Sequence, residues 1–171
     1  MTNQIKKPES GFTLIEMLIT ITIIGILTNA GAPSYNDYLA KKRIQQSERF
    51  LSSALNLARS EAVKRNARVY VVPSDASNWE SGWAITSSST KTYAQCLSNG
   101  TDCVIVQQAL DNVNISGAPA SVIYTGAGRL VTGTTASFVL CPLGSHSSTE
   151  LKTVAVSASG RPRISSATEG C

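Results

Sequence analysis

An apolar run of 21 residues near the N-terminus, Phe12 to Ala32, constrains this chain more than any other feature. At about 1.5 Å per residue, a helix of that length covers a hydrocarbon core of about 30 Å. The run contains one charged residue, Glu16, and follows a short polar stretch that carries Lys6 and Lys7. Positive charges before an apolar run favour a cytoplasmic N-terminus and an exported remainder. The sequence therefore predicts a membrane-spanning helix.

Three explanations of this apolar run compete, and two of them, a secretory signal peptide and a plain membrane anchor, fit the sequence less well than the third. A secretory signal peptide would fit the A-x-A-like triplet Ala30–Ala32. However, Pro33 would follow the cut directly, and Glu16 would interrupt the apolar region. A plain membrane anchor leaves Glu16 unexplained, because a carboxylate in a bilayer costs about 2.5 kcal/mol or more.

The third explanation comes from the segment Gly11 to Glu16, GFTLIE. It resembles the processing site of class III signal peptides, found in type IV pilins and type II secretion pseudopilins. The resemblance implies that a prepilin peptidase removes a leader, residues 1–11, by cutting between Gly11 and Phe12, and then methylates the new N-terminus. The apolar helix, residues 12–34, is retained. We expect Glu16 then to neutralise the terminal amine of Phe12 in a neighbouring subunit during filament assembly.

Helical periodicity continues beyond Pro33, which is expected to bend the helix without ending it. Residues 35–68 read as an amphipathic second half with polar residues opposite an apolar stripe. The stripe consists of Leu39, Ile44, Leu51, Ala54, Leu55, Ala58 and Ala62.

After Arg68 the apolar period changes to two, which predicts a β-rich domain over residues 69–171. Turn sequences such as Asn99-Gly100 separate the runs. The predicted strands are 68–72, 82–86, 104–107, 122–125, 137–140, 153–157 and 161–164. The expected fold class is α+β, with a long N-terminal spine helix packed on an antiparallel β-sheet head.

Two further segments narrow the resemblance. ARSEAVKRN at 58–66 and the Trp79-x-x-Gly82-Trp83 pattern resemble the GspH/FimT branch of pilin-like proteins. The resemblance implies a minor pilin, anchored in the inner membrane by a single pass with a periplasmic head and later part of a surface pilus. The implied partners are other pilins, the prepilin peptidase and the inner-membrane assembly platform. Trp79, Trp83 and Tyr93 fit either a buried core or a base-stacking platform for single strands, with the core favoured.

The four cysteines allow three pairings, and export favours disulfides over free thiols. A bridge between Cys96 and Cys103 across the Asn-Gly turn is favoured, which leaves Cys141 with Cys171. The spacings do not fit a metal site, and no cofactor is expected. His146, the one histidine, follows Ser145 in a predicted loop, so no catalytic group is expected and the chain is not predicted to be an enzyme.

The tetrapeptide Gly160-Arg161-Pro162-Arg163 is the candidate ligand site. In an extended segment, residues two apart point the same way, and each guanidinium can clamp a phosphate. FimT-type minor pilins carry a GRxR motif of this form that binds DNA, so the resemblance implies DNA binding for natural transformation by Gly160, Arg161 and Arg163. The alternative is that this tetrapeptide forms a solvent-exposed turn whose two arginines bind no ligand.

The charge distribution restricts how such a site is built. Residues 41–68 carry a net charge of +6, whereas residues 69–171 carry −1. Any DNA site on the head is therefore a local cluster, with Lys152 or Arg129 as helpers, and it binds DNA weakly and without sequence preference. The alternative is a minor pilin or type II secretion pseudopilin that primes or joins a filament without touching DNA.

The processing site gives the first prediction. The mature protein should begin at Phe12 with a methylated amine. Gly11→Val should leave the leader attached, because the peptidase of the family that this motif resembles cuts after a glycine. N-terminal sequencing identifies the first residue, and the intact mass shows whether the leader and the methyl group are present. A mature chain that begins at Pro33 would show that the apolar run is a removed signal peptide.

Overall fold

The computed structural model describes residues 11–75, 78–98, 100–131, 133, 135–144 and 151–167, without the side chains of residues 29–34. The chain divides after Asn36 into two units, which are described separately. The secondary structure begins with a helix, α1, assigned over Leu14–Arg65.

In the first unit, α1 begins with a capping interaction. The Thr13 hydroxyl accepts a hydrogen bond from the Glu16 backbone N–H at 3.3 Å, which satisfies an otherwise unpaired donor of the first turn. The hydroxyls of Thr20, Thr22 and Thr28 donate to carbonyls three or four residues earlier. These polar side chains are thus satisfied by the helix itself, and the large apolar side chains around them are exposed. None of the helices in the described ranges is both long and apolar enough to cross a membrane.

In the second unit, the predicted apolar stripe of α1 is buried except for Leu39, which is half-buried, and Leu51, Leu55 and Ala58 are fully inaccessible. The helix ends at Arg65 because Asn66 adopts a left-handed conformation, φ 46°. The Ala67 N–H then donates to the Ala62 carbonyl, which completes a Schellman-type cap.

The β-strands form two antiparallel four-stranded sheets, β3-β2-β1-β5 and β4-β6-β7-β8. The elements after α1 are β1 Val69–Asp75, β2 Asn78–Thr86, α2 Tyr93–Ser98, β3 Cys103–Gln107, β4 Val113–Ser116, β5 Val122–Tyr124, β6 Ala136–Pro142, β7 Leu151–Val156 and β8 Pro162–Ala167.

The α+β class with a long N-terminal helix is confirmed, but two elements were missed from the sequence. The short strand β4, with Val113 and Ile115 buried, was not identified from the sequence although its residues alternate between buried and more exposed positions. Helix α2 has six residues and buries Tyr93 and Cys96. Its formation depends on packing against β1, β2 and β3 more than on intrinsic helix propensity.

One apolar core joins α1 to both sheets. Trp79, on β2, meets Phe138, on β6, edge-on with ring centroids 4.8 Å apart. The Trp79 indole N–H donates to the Pro119 carbonyl at 2.7 Å, and Trp83 is fully buried. These tryptophans are therefore core residues and not an exposed stacking platform.

The buried stripe predicts a stability difference between two leucines. Leu55→Ala should lower the free energy of unfolding by about 2–5 kcal/mol because it opens a cavity in the shared core. Leu97→Ala, at a side chain that is 56% exposed, should cost much less. Guanidinium unfolding of the full chain in detergent measures both. Equal losses would show that α1 does not pack in this core.

Candidate nucleic-acid interface

The β7–β8 hairpin positions the predicted arginines. The Gly160 N–H donates to the Ser157 carbonyl at 2.7 Å, and the Ser157 N–H donates to the Arg161 carbonyl at 3.2 Å. Gly160 has φ 79°, which a glycine adopts without strain. This tight turn leaves the side chains of Arg161 and Arg163 exposed.

A second turn, Thr125 to Arg129, positions Arg129. The Thr125 N–H donates to the Arg129 carbonyl at 2.8 Å, and the Arg129 N–H donates back to the Thr125 hydroxyl at 3.2 Å. The Gly128 N–H closes the turn on the Thr125 carbonyl. Arg129 is therefore held by its backbone, and its side chain remains exposed.

The two turns and α1 enclose an open cleft of about 540 Å³. Among the described residues, four arginines and no acidic residue line it. The lining consists of Arg59, Ala127, Arg129, Ser157, Ser159, Arg161 and Arg163. The structure thus brings Arg129 to Arg161 and Arg163, as the sequence proposed. It adds Arg59, which the sequence had placed only on the polar face of the helix.

Lys152 does not lie in this cleft. It pairs across the sheet with Ser166, to which its ammonium donates a hydrogen bond at 3.0 Å, whereas Arg163 pairs with Ala155. Side chains alternate between faces along a strand, so Lys152 and Ala155, three residues apart, point to opposite sides. This alternation separates Lys152 from the arginine cluster, which corrects its expected place beside them.

The cations at the end of α1 are paired locally. Glu61 accepts a hydrogen bond from Arg65 at 2.8 Å and lies 3.5 Å from the Lys64 ammonium. The hydrogen bond from Arg65, aided by the charge of Lys64, holds the pKa of Glu61 below its usual range. The positive charge of these residues is therefore partly compensated, in contrast to that of the cleft.

A buried phenol lies close to the cleft. The Tyr124 hydroxyl is inaccessible and has no hydrogen-bond partner within the described part of the chain. Burial raises the pKa of Tyr124 well above its ordinary value, and the positive charge of Arg59 partly opposes this rise. Tyr124 therefore stays neutral and acts as a packing residue beneath the arginines.

The remaining predicted sites are located as follows. Cys96 and Cys103 form a disulfide with Cα atoms 5.6 Å apart. Cys141 is buried in β6, and its proposed partner Cys171 lies outside the described residues, as does His146. Gly11, Phe12 and Glu16 are exposed at the start of the first unit. Across the described ranges, no three His, Cys, Asp or Glu residues are grouped so as to hold a metal ion.

Comparison with known proteins agrees with this fold. Residues 49–160 match the family described as Type II transport protein GspH, and residues 6–28 match the prokaryotic N-terminal methylation motif. The crystal structure of the type IV minor pilin FimU from Pseudomonas aeruginosa superimposes with a TM-score of 0.62 at 18% identity, covering 78% of this chain and 96% of FimU. The minor pseudopilin EpsH from the type 2 secretion system of Vibrio cholerae gives 0.51 at 14% identity, covering 74% and 99%.

Sequence relatives match over shorter stretches. Fimbrial protein EcpC of Eikenella corrodens is 44% identical over 54 residues, 32% of this chain and 31% of EcpC. Type IV major fimbrial protein FimA of Dichelobacter nodosus is 46% identical over 41 residues, 24% of this chain and 26% of FimA. The chain thus matches about a third or less of the length of these curated relatives.

A methylation motif, a long N-terminal helix and an antiparallel β-rich domain define a type IV pilin-like protein. Within that class, the chain belongs to the GspH family, whose match covers more than half of its residues.

Tyr124 gives a prediction about alkaline stability. The unfolded phenol ionises near pH 10 while the folded one stays neutral, so stability should fall as pH rises above about 10. The loss from this residue should reach about 1 kcal/mol by about pH 11. Tyr124→Phe should remove it and should be neutral or stabilising at pH 7, because the buried hydroxyl has no partner to lose.

Denaturant unfolding of the wild type and the Tyr124→Phe variant across this pH range measures the difference. Parallel pH profiles for the two chains would contradict the buried neutral phenol.

Proposed function

We propose that this protein is a minor pilin that binds DNA through the arginine cleft and takes part in natural transformation. The observation that carries the proposal is the convergence of four arginines, without an acid, on one open cleft. Each guanidinium offers a planar pair of donors that matches two phosphate oxygens. Successive phosphates of one DNA strand are the ligand that such a cluster suits.

The cleft favours phosphate contact over base recognition. Its lining, as far as the structure describes the chain, has arginines, serines and an alanine, but no aromatic side chain on which a base would stack. Contacts of this kind position a protein on DNA without reading its sequence. Binding should therefore be weak, sequence-independent and sensitive to salt, which suits capture of a long polymer.

The proposed place of action follows from the first unit. Its large apolar side chains are exposed, including Leu14, Ile19 and Ile24, and require a lipid or protein environment. The methylation motif supports processing by a prepilin peptidase at Gly11–Phe12. We therefore place the protein first in the inner membrane with a periplasmic head, engaged with the assembly platform. It is then placed among other pilins in a surface filament, with a structural and not an enzymatic role.

The second candidate function is that of a pseudopilin or minor pilin without DNA. The exposed apolar side chains of the first unit favour it, because they serve filament assembly whether or not the cleft is used. Cells lacking the protein distinguish a pilus role from a secretion role. Impaired DNA uptake with normal secretion supports a minor pilin of a type IV pilus, and the converse supports a type II secretion pseudopilin. DNA binding by the purified chain then separates a DNA-binding minor pilin from one that only joins the filament.

Paired variants test the DNA site. The full mature chain in detergent should bind duplex DNA of any sequence, as measured by fluorescence anisotropy over a series of salt concentrations. Arg161→Ala with Arg163→Ala should weaken binding at least about tenfold and reduce the log–log salt slope by about 2, because two phosphate contacts are lost.

Lys152→Ala is the matched control. It removes one positive charge on the far face of β7 and should leave the slope unchanged. Wild-type affinity in the double arginine variant would reject the cleft as the DNA site. An equal effect of Lys152→Ala would show that net charge, and not the cleft, governs binding.

A further inference from the structure

The carbonyl oxygen of Gly128 connects three parts of the cleft. On one side, the Arg59 Nε donates a hydrogen bond to this oxygen at 2.9 Å. On the other side lies Gly160, where an added Cβ would collide with the same oxygen. The Leu130 N–H also donates to the Ala158 carbonyl at 3.3 Å, so the two turns are docked at two points.

The glycines of the 125–129 turn allow an equally close approach to α1. A Cβ on Gly128 would lie 2.9 Å from a methyl of Val63, and one on Gly126 would lie 2.7 Å from the Asn66 carbonyl carbon. The end of α1, this turn and the β7–β8 hairpin are thus packed backbone to backbone. Because packed elements of this kind do not deform continuously, the arginines that they carry keep a fixed spacing.

This packing assigns a role to Arg59. Its Nε–H is directed to the Gly128 carbonyl, and since the guanidinium is planar, that bond also sets the plane of the two terminal nitrogens. Arg59 lines the same cleft as Arg129, Arg161 and Arg163. A guanidinium oriented in advance loses less side-chain entropy when it meets a phosphate.

We propose that Arg59 is a fourth phosphate-binding residue, positioned by the Gly128 carbonyl, and that Gly160 serves the site by letting that carbonyl approach the hairpin. The inference rests on the proposed DNA-binding function and deepens it. The glycine of the GRxR motif then acts through docking of the hairpin, whereas the two arginines of the motif act through their charge. The ligand is a run of phosphodiesters long enough to meet cations from three chain segments.

The salt dependence of DNA binding tests Arg59 directly. Arg59→Gln in the full chain should lower affinity several-fold and reduce the salt slope by about 0.9, because one phosphate contact is lost. Arg59→Lys should retain the slope, since it keeps the charge. Arg49→Gln is the matched control, because Arg49 is an exposed arginine of α1 that does not line the cleft. A wild-type slope in Arg59→Gln, with an unchanged circular dichroism spectrum, would overturn the assignment.

Two glycine variants test the docking role. Gly160→Ala should lower DNA affinity and the salt slope, because the new methyl displaces the hairpin from Gly128. Gly117→Ala is the control, since Gly117 has a similar φ of 69° but open space where its Cβ would stand. The Gly117→Ala variant therefore introduces the same backbone strain as Gly160→Ala but no steric clash, and it should bind DNA as the wild type does. Wild-type binding by Gly160→Ala would reject the docking role.

The outcomes separate this inference from the function on which it rests. A wild-type chain that binds no DNA at low salt rejects both. A wild-type chain whose binding needs Arg161 and Arg163 but is indifferent to Arg59→Gln retains the proposed function and overturns the inference alone. The Arg59 variants do not require the fold to tolerate a Cβ at position 160, so they decide the assignment of Arg59 even if Gly160→Ala does not fold.

Discussion

Burial of one apolar stripe of α1 in a core shared with both sheets is the constraint on which the rest of the second unit depends. Leu51, Leu55 and Ala58 are fully inaccessible and belong to the same cluster as Trp79 and Phe138. Small residues at three of the stripe positions, Ala54, Ala58 and Ala62, let the helix approach the sheets closely. Because this packing fixes the helix against the sheets, it also fixes where the end of α1 meets the turns that follow β5 and β7.

The arginine cleft is a consequence of that packing. Arg59 lies one residue beyond the buried Ala58, on the side of the helix that reaches the 125–129 turn. The turn is glycine-rich where it contacts the helix, and Gly160 contacts the turn from the opposite side. Cations separated by about 100 residues in the chain therefore surround one volume, with no acid between them among the described residues. The cluster is locally positive although residues 69–171 as a whole carry a slight negative charge.

Glu16 and the arginine cleft lie in different units of the chain, and the family resemblance connects only Glu16 with filament assembly. Glu16 lies in the first unit, where the family resemblance assigns it to pairing with a terminal amine. The cleft lies entirely in the second unit and is built from Arg59 and two surface turns. The proposed assembly residue and the proposed DNA site therefore lie on separate parts of the chain, so either one can be altered without removing the residues of the other.

The sequence by itself determined the processing motif, the long helix, the change to β-periodicity and the Cys96–Cys103 pairing, because each depends on neighbours within a few residues. It also identified Arg161 and Arg163, since both belong to one short motif. It missed β4, whose four residues do alternate, and α2, a single short helix that packs against β1, β2 and β3. It placed Lys152 beside the arginines, whereas strand register sends that side chain to the other face. Only the tertiary structure decided that Arg59 joins the cleft and that Gly160 must lack a side chain, because both facts depend on the Gly128 carbonyl, which is distant from each of them in the chain.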